Sequence, residues 1–460
     1  MGSIWAVATN TIKQALRMKV AVVFLILLLV LLTAMGFSTT GDGTLKGRLQ
    51  TFVSYGLSLT SLLLCMLTII VSIYSVTSDI EQRQIYTVIT KPIRRFEFLL
   101  GKLLGVILLD LALLCLFSAI IYAVTIYTPK FHKTTETELI QANNEFFTAR
   151  AAISVPEVDV SSEVKEIYEK LETSGELPEN LSRKEIIAYL TSQQQLVKRA
   201  ADVGQILVWE FNNVESLAKS MFIRFKYDVS VTPPDSQVYG RWLVGDYQYI
   251  RYGTESKTPI YNSIHRHSVQ TFHEIEIPAE VVPEHGHLAV AFLNVPPNNT
   301  VIIFPPDGIE VLYKADTFTG NFIRVVLLIF FRLIFLACLG ILASTFLSFP
   351  VAILLCLVLF STASISGFVI ESFDFLSENV SVIYSYTLKW MIQLLPQFDK
   401  FNPNKFLVPA RLLSWSDVAK VAVFPPWWGI EGDMVCIKAV LLLAISLVIF
   451  TYREIAKIII

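Results

Sequence analysis

Three ionisable residues lie inside long apolar runs of the sequence: Asp110, Arg332 and Lys438. A charged side chain in hydrocarbon costs about 2.5–3.5 kcal/mol on insertion scales, so each must face protein, water or a membrane interface. Such residues either line a polar path or join neighbouring helices by hydrogen bonds. Lys438 is near the end of its run, where a long side chain reaches the interface. We therefore single out Asp110 as the candidate residue of a translocation path.

The six histidines form a second candidate group, because all of them fall between positions 132 and 287. A His-x-His pair on a strand places both rings on one face, where copper or zinc could bind. No cysteine or methionine cluster accompanies them, so we predict no resident metal or cofactor and leave a metal site as the open alternative. The residues concerned are His265, His267, His273, His285 and His287, with His132 apart from them.

No motif of an enzyme accompanies these residues. The sequence has no G-x-x-x-x-G-K-[ST] phosphate loop, nucleophile elbow or metalloprotease motif, so the chain is not predicted to be an enzyme. If ATP drives this protein, a partner subunit hydrolyses it. The net charge of −2 and the absence of a basic block argue against a nucleic-acid partner. The five cysteines all lie in apolar runs and are predicted to be small buried hydrophobes rather than disulfide partners.

Composition predicts a protein of the lipid bilayer. Of its 460 residues 53% are hydrophobic and 17% charged, against about 25% charged in soluble proteins. Six apolar runs are long enough to cross a membrane as helices. We place them at 20–37, 52–76, 103–126, 325–349, 351–370 and 434–452, preceded by an amphipathic helix at the N-terminus that lies at the interface.

The segment 78–97 holds most of the charge between the second and third apolar runs. Ile85, Val88 and Ile89 recur at helical spacing, which predicts a short amphipathic helix at the membrane surface. Pro92 ends that helix, and basic residues follow at once. From spacing alone, a docking helix and a basic loop that only fixes orientation remain equal alternatives.

This segment resembles the cytoplasmic coupling helix of ABC-2 type exporter permeases. The matching positions are Glu81, Arg83-Gln84-Ile85, Lys91-Pro92-Ile93, Arg95 and Gly101-Lys102. The resemblance implies that ABC ATPase subunits dock there and that the membrane half pairs with a second copy or with a sister permease. It assigns ATPase coupling to Ile80, Glu81, Arg83, Ile85, Val88, Ile89, Lys91, Pro92 and Arg95.

The composition changes between residues 127 and 319, where charge and proline increase and no run could span a bilayer. Helical spacing dominates its first half, and 182–185 reads as a capping box. Period-two alternation dominates its second half and predicts a small antiparallel sandwich. The predicted strands are 223–231, 242–252, 269–277, 288–294, 301–304 and 309–313.

The predicted fold is therefore a mainly α membrane protein with six transmembrane helices. A large extracytoplasmic α+β domain, helices followed by a small β-sandwich, is inserted between helices 3 and 4. The predicted domains are 1–126 with the coupling helix at 78–97, then 127–319, then 320–460. Residues 371–432, rich in aromatic residues and proline, are predicted to form a re-entrant or interfacial segment.

Basic residues in the short loops predict the orientation. Lys13, Arg17, Arg83 and Lys91 fall on one side, together with the basic C-terminus. Both termini are therefore expected in the cytoplasm, with the chain in the inner (cytoplasmic) membrane and residues 127–319 in a periplasm or its equivalent.

Three functions remain open at this stage. The first is the permease of an ATP-driven exporter. The second is a mechanotransmitter that works an envelope partner through the external domain without moving a solute. The third is a membrane-anchored binding protein without an ATPase. Nothing in the sequence names a transported substrate.

Overall fold

The computed structural model describes most of the chain as two compact units. Unit 1 comprises Met1–Ala149 and Asp316–Ile460, and unit 2 comprises Arg150–Ala315. The described residues are 2–38, 41–81, 94–131, 134–155, 159–174, 183–212, 214, 220–253, 258–283, 285–306, 308–374, 392, 394–423 and 433–452.

The elements follow one another in this order. The helices are α1 (Gly2–Arg17), α2 (Lys19–Ser38), α3 (Leu45–Glu81), α4 (Arg95–Phe131), α5 (Glu136–Glu145), α6 (Ser161–Ser174), α7 (Arg183–Lys198), α8 (Tyr247–Tyr252), α9 (Phe318–Phe346), α10 (Phe349–Asp374), α11 (Asn404–Leu407), α12 (Trp415–Val423) and α13 (Val435–Tyr452). The strands are β1 (Thr148–Ser154), β2 (Ala200–Ala201), β3 (Ile206–Phe211), β4 (Ser220–Phe225), β5 (Asp228–Val229), β6 (Gln237–Asp246), β7 (Tyr261–Ser268), β8 (His273–Pro278), β9 (Leu288–Asn294), β10 (Ile302–Ile303) and β11 (Ile309–Thr317).

Six helices of unit 1 are long and apolar enough to cross a membrane: α2, α3, α4, α9, α10 and α13. The second and third are longer than predicted, since α3 and α4 each run for 37 residues. The predicted second span ended at Val76, shortly before Asp79, and the predicted third span began at Leu103, directly after Lys102. The helices continue past them because each charge finds its partner on the neighbouring helix.

The centre of unit 1 is α3, whose most apolar window is 67% buried. Small residues let neighbouring helices approach it, as is usual between membrane helices. A Cβ on Gly340 of α9 would lie 1.9 Å from the Ser72 hydroxyl oxygen of α3, so this glycine sets the contact of the two helices. By contrast, the corresponding windows of α2, α10 and α13 are only 17%, 28% and 22% buried.

Two four-stranded sheets of unit 2 share one hydrophobic core. Their strand orders are β1-β11-β4-β8 and β3-β9-β6-β7, with a three-stranded sheet β2-β10-β5 beside them. The core is aromatic: Phe225 lies 4.3 Å from Trp242 between ring centroids, and Phe292 and Phe304 pack 5.1 Å apart. Helices α6 and α7 form a separate small core around Val164 and Ile186.

Several strand predictions need correction. The predicted strand 242–252 is wrong after Asp246, because the Asp246 side chain caps α8 by accepting from the Gln248 amide, and Gly253 ends that helix in the left-handed conformation. The predicted strand 223–231 divides into β4 and β5. Strands β1, β2, β3 and β7 were not predicted, and the predicted strand 269–277 begins only at His273, as β8. Strand β9 matches its predicted bounds. Ser182 of the predicted capping box lies outside the described residues.

The segment predicted to be re-entrant is described from residue 394 to 423, together with residue 392. It carries two short helices, α11 and α12, instead of a full span. Phe398, Leu407 and Val418 belong to the same buried core as the long helices.

Candidate functional site

A buried ion pair joins the end of α3 to the first turns of α4. The Lys102 Nζ lies 2.7 Å from the Asp79 Oδ2, and the two side chains are 1% and 8% exposed. Lys102 also donates to the Gln14 side-chain oxygen of α1 at 3.2 Å. Residues 82–93 connect α3 to α4 along the chain. The ion pair therefore ties together the two helices that flank the predicted coupling segment.

Helix α1 packs against α4 through two glycines one turn apart. A Cβ on Gly101 would lie 2.6 Å from the Val7 Cβ, and one on Gly105 would lie 2.7 Å from the Ala8 carbonyl oxygen. Only hydrogen fits at these positions, so the backbones of α1 and α4 approach closely. Trp5 remains 61% exposed, which leaves an aromatic ring available to a membrane interface.

The end of α13 contacts the same part of α4. Phe98 and Phe450 stack with their ring centroids 5.9 Å apart. The Arg95 guanidinium donates to the Thr451 carbonyl oxygen at 2.8 Å, and so satisfies a carbonyl in the last turn of α13. Helices α1, α3, α4 and α13 therefore meet at one place, which we call the helix junction (Gln14, Asp79, Arg95, Lys102 and Thr451).

The structure places three of the predicted coupling residues. Ile80 and Glu81 are the last residues of α3, and Arg95 is the first residue of α4. Glu81 and Arg95 are exposed beside the buried ion pair. The other six, Arg83, Ile85, Val88, Ile89, Lys91 and Pro92, lie outside the described residues.

Asp110, the candidate residue of a translocation path, is enclosed by the helices. Its side chain is on α4 and the residue is 1% exposed. Thr68 of α3 is its hydrogen-bond partner. Its Oδ2 atom has no hydrogen-bond partner among the described residues. The structure therefore places Asp110 between two helices rather than on an open channel wall.

The two basic residues in the apolar runs have different surroundings. Lys438 on α13 pairs with Asp433 at 2.8 Å and donates to the Leu395 carbonyl oxygen at 3.1 Å. Burial raises the pKa of Asp433 above its ordinary value, and the Lys438 ammonium opposes that shift. Arg332 donates to the Ser61 hydroxyl and to the Phe398 carbonyl oxygen, at 3.3 and 2.8 Å. Lys438 thus joins α13 to the loop that precedes α11.

Three histidines of unit 2 form a row of rings: two are on β7 of one sheet, and the third begins β8 of the other sheet. The ring centroids of His265 and His267 are 5.6 Å apart, and those of His267 and His273 are 4.6 Å apart. Burial first, and then the neighbouring His273 and His265, lower the pKa of His267 to about 4. A neutral ring that packs 5.2 Å from Phe225 fits a core position.

The other histidines are placed apart from this row. His285 and His287 stack on each other at 5.6 Å, and His287 lies 3.6 Å from Glu210. Within the part of the chain that the structure describes, no group of three or more His, Cys, Asp or Glu side chains is placed to hold a metal ion. His132 is outside that part.

Sequence reasoning singled out Arg95 but missed the contacts that form the helix junction. Asp79, Lys102 and Gln14 were not predicted to contact one another. Two signals were present: a lysine inside an apolar helical run, which needs a partner, and the Gly101-x-x-x-Gly105 spacing, which permits close helix contact. Neither signal identifies the partner helix.

Comparison with protein families gives one match. Residues 5–152 match the model of the ABC-2 family transporter protein. The matched region runs from α1 through β1 and includes the helix junction except for its α13 part. Searches of curated proteins and of solved structures gave no match. The predicted resemblance to ABC-2 type permeases is confirmed over residues 5–152, and the six long apolar helices support a multi-pass membrane protein.

Proposed function

We propose that this chain, an ABC-2 family protein over residues 5–152, is the membrane-spanning permease subunit of an ATP-driven exporter. Separate ABC ATPase subunits supply the energy. The observation that carries the proposal is the buried Asp79–Lys102 pair, because it joins the two helices on either side of the coupling segment into one body. A force applied at 82–93 then moves α3 and α4 together.

The packing of unit 1 provides a route for that movement. Helix α1 follows α4 through the contacts at Gly101 and Gly105, and α9 follows α3 through the contact of Gly340 with Ser72. Closely packed helices move as rigid bodies rather than deform. Closure of the ATPase subunits would therefore tilt the central helices as a group and change the space between two membrane halves.

The proposed orientation places the helix junction in the cytoplasm and unit 2 outside. Arg94 and Arg95 are exposed at the helix junction. Arg17 is the last residue of α1, three residues after Gln14 of the junction. Basic residues of short loops remain on the cytoplasmic side of a membrane. The strands of unit 2 fall between the third and fourth apolar helices in chain order, so they lie on the opposite side when both termini are cytoplasmic. In that orientation unit 2 is available to a partner outside the membrane.

The proposed partner in the membrane is a second copy or a sister permease. Helices α2, α10 and α13 are mostly exposed in the single chain, although all three are apolar. Val23 on α2 is 61% exposed and Phe368 on α10 is 71% exposed. Lipid covers some of this surface, and a pairing interface needs an apolar helix face of this kind.

The burial of Asp110 supports a second candidate function. A solute path needs a hydrated polar lining, whereas Asp110 is 1% exposed and faces Thr68. A sealed membrane half that moves unit 2 against an envelope partner is the mechanotransmitter hypothesis. Labelling Cys introduced at Asp110 with an aqueous thiol reagent, with and without ATP, distinguishes the two: labelling in any nucleotide state supports transport.

Co-purification and ATPase assays test the coupling. The variant Arg95→Glu reverses one exposed charge at the junction. Arg94→Glu is its matched control, because Arg94 is also exposed and its described side-chain contact is with the Phe96 ring rather than with α13. We expect Arg95→Glu to weaken retention of the ATPase subunit and ATP turnover in nanodiscs, with a smaller effect of Arg94→Glu. If a tagged chain never retains an ATPase and neither variant changes turnover, the proposal is wrong.

A further inference from the structure

A cleft lined by both apolar and polar side chains opens in the membrane unit beside Arg332. It lies among α3, α9, α10 and the loop before α11, and its volume is about 450 Å³. Volumes of this size are typical of small-molecule sites. Two serines of α3, Ser58 and Ser61, line one wall, and two serines of α10, Ser361 and Ser364, line another.

Arg332 brings a cation to this cleft, and Asp399, which lines the same cleft, attracts it electrostatically but is not within ion-pair distance. Its guanidinium donates to Ser61 and to the Phe398 carbonyl, and its Cζ lies 4.9 Å from the centre of the Phe398 ring. Those bonds use two N–H groups, and the others have no partner among the described residues. No described carboxylate forms an ion pair with Arg332. A guanidinium in a membrane helix is costly unless an anion is supplied, and its planar fork suits a phosphate.

Asp399 brings an anion to another part of the same cleft. Its Oδ1 accepts from the Gly367 amide of α10 at 3.1 Å. A Cβ on Gly367 would lie 2.0 Å from the Asp399 Oδ2, so the glycine is what allows the carboxylate to lie against the helix. The cleft therefore holds one positive and one negative group that attract each other without a direct ion-pair contact.

The serine hydroxyls match this division of charge. Ser58 accepts from the Asn404 amide at 2.9 Å, which leaves its own O–H to donate to an anion. Ser361 and Ser364 donate to the Leu357 and Phe360 carbonyls of their own helix. Their lone pairs remain available to a cation. The α3 wall with Arg332 thus suits a phosphate, and the α10 wall with Asp399 suits an ammonium group.

The rim of the cleft is apolar. Leu62 is 43% exposed and Ile365 is 55% exposed, and both lie on candidate membrane spans. A ligand whose charged part enters the cleft would leave its remainder against these side chains. An acyl chain gains free energy from such a surface and a free phosphate ion does not.

We propose that this cleft binds the headgroup of an aminophospholipid, with its phosphodiester on Arg332, Ser58 and Ser61 and its ammonium group on Asp399. The acyl chains run past Leu62 and Ile365 into the bilayer. The proposal does not depend on the ATPase partnership, because the site lies within one chain.

Native mass spectrometry of the full-length protein tests the site. Protein is released from nanodiscs that contain phosphatidylethanolamine, phosphatidylglycerol and phosphatidylcholine in equal amounts, and the retained lipid is counted. We expect one phosphatidylethanolamine per chain, about tenfold over phosphatidylcholine, whose methylated amine has no N–H for Asp399. Inorganic phosphate added to the buffer is not expected to displace it.

Three variants and one control separate the contributions. Arg332→Gln is expected to reduce phosphatidylethanolamine retention about tenfold. Asp399→Asn is expected to keep lipid binding and to abolish the preference over phosphatidylglycerol. Ser364→Phe fills the cleft and leaves both charges in place. Lys405→Gln, an exposed cation near the loop that does not line the cleft, is the control and should change nothing.

Four results would overturn the proposal. Equal retention of all three lipids excludes a headgroup site, and displacement by inorganic phosphate assigns the cleft to a free ion. A chain that becomes monomeric with Ser364→Phe, without a change in lipid content, assigns the cleft to a second copy. If Arg332→Gln does not fold, unchanged selectivity in both Asp399→Asn and Ser364→Phe is sufficient to reject it.

Discussion

The Asp79–Lys102 pair is expected to stabilise unit 1 chiefly because each charge would be left alone without the other. Lys102→Met removes the cation and leaves the Asp79 carboxylate, 8% exposed, without its partner at 2.7 Å. Asp79→Leu does the reverse. The double variant replaces both charges with apolar side chains of similar length.

The expected magnitudes follow from burial. Removing one partner of a buried ion pair costs about 3–5 kcal/mol, whereas replacing both with hydrophobic residues is often neutral. The two single variants should therefore each lose about 3–5 kcal/mol, and the double variant should lie within about 1.5 kcal/mol of the wild type. The coupling energy of the cycle would be several kcal/mol, far above the 0.2–1 kcal/mol or so of an exposed pair.

Reversible unfolding in mixed micelles of increasing SDS content, followed by circular dichroism, measures these differences. Lys420→Met is a control in the same unit, because Lys420 is 32% exposed and its partner Asp417 is 45% exposed. It should change stability by less than about 1 kcal/mol. Additive losses in the Asp79 and Lys102 variants, without recovery in the double variant, would refute the role of the buried pair.

Gly105→Leu should destabilise unit 1 by about 1–3 kcal/mol through overpacking against α1, whereas Gly2→Ala, with open space around it, should have no effect in the same SDS titration. Gly340→Ala should weaken the contact of α3 with α9, and a second change, Ser72→Gly, should restore the SDS midpoint. His267, whose pKa is about 4 in the folded chain against 6.5 ordinarily, binds its proton more readily when unfolded. Stability of unit 2 should therefore fall as the pH decreases from about 6.5 to 4, by about 1 kcal/mol after solvent screening, and hydrogen exchange should show less pH dependence in His267→Gln.

The six apolar runs were predictable because hydrophobic length is a local property of the chain. Their ends were not. Asp79 and Lys102 each look like the end of a span when only neighbouring residues are considered, and each is inside a longer helix because a residue on another helix neutralises it. The same limit applies to Lys438. Its partner Asp433 is close to it in the sequence, but Leu395, whose carbonyl oxygen it also contacts, is far from it in the sequence.

In unit 2 the sequence predicted that certain strands form better than it predicted where they end. Strand β9 was predicted with its bounds, since it is a short apolar run and a central strand is buried on both faces. The change from β6 to α8 at Asp246 was missed, although Asp246 and Gly253 are typical capping residues. The apolar residues of α8 continue the pattern of the strand, and the helix forms where the strand's pairing with β9 ends at Leu288.

By itself the sequence determined that this is a membrane protein with a polar region between its third and fourth apolar runs, and that its charged segment 78–97 resembles an ABC-2 coupling element. The tertiary structure decided which side chains act together: Lys102 with Asp79 and Gln14, Asp110 with Thr68, and Arg332 with Asp399 around one cleft. The physical reason is that apolar length and helical spacing are read along one segment, whereas the partner of a buried charge is supplied by whichever helix packs beside it.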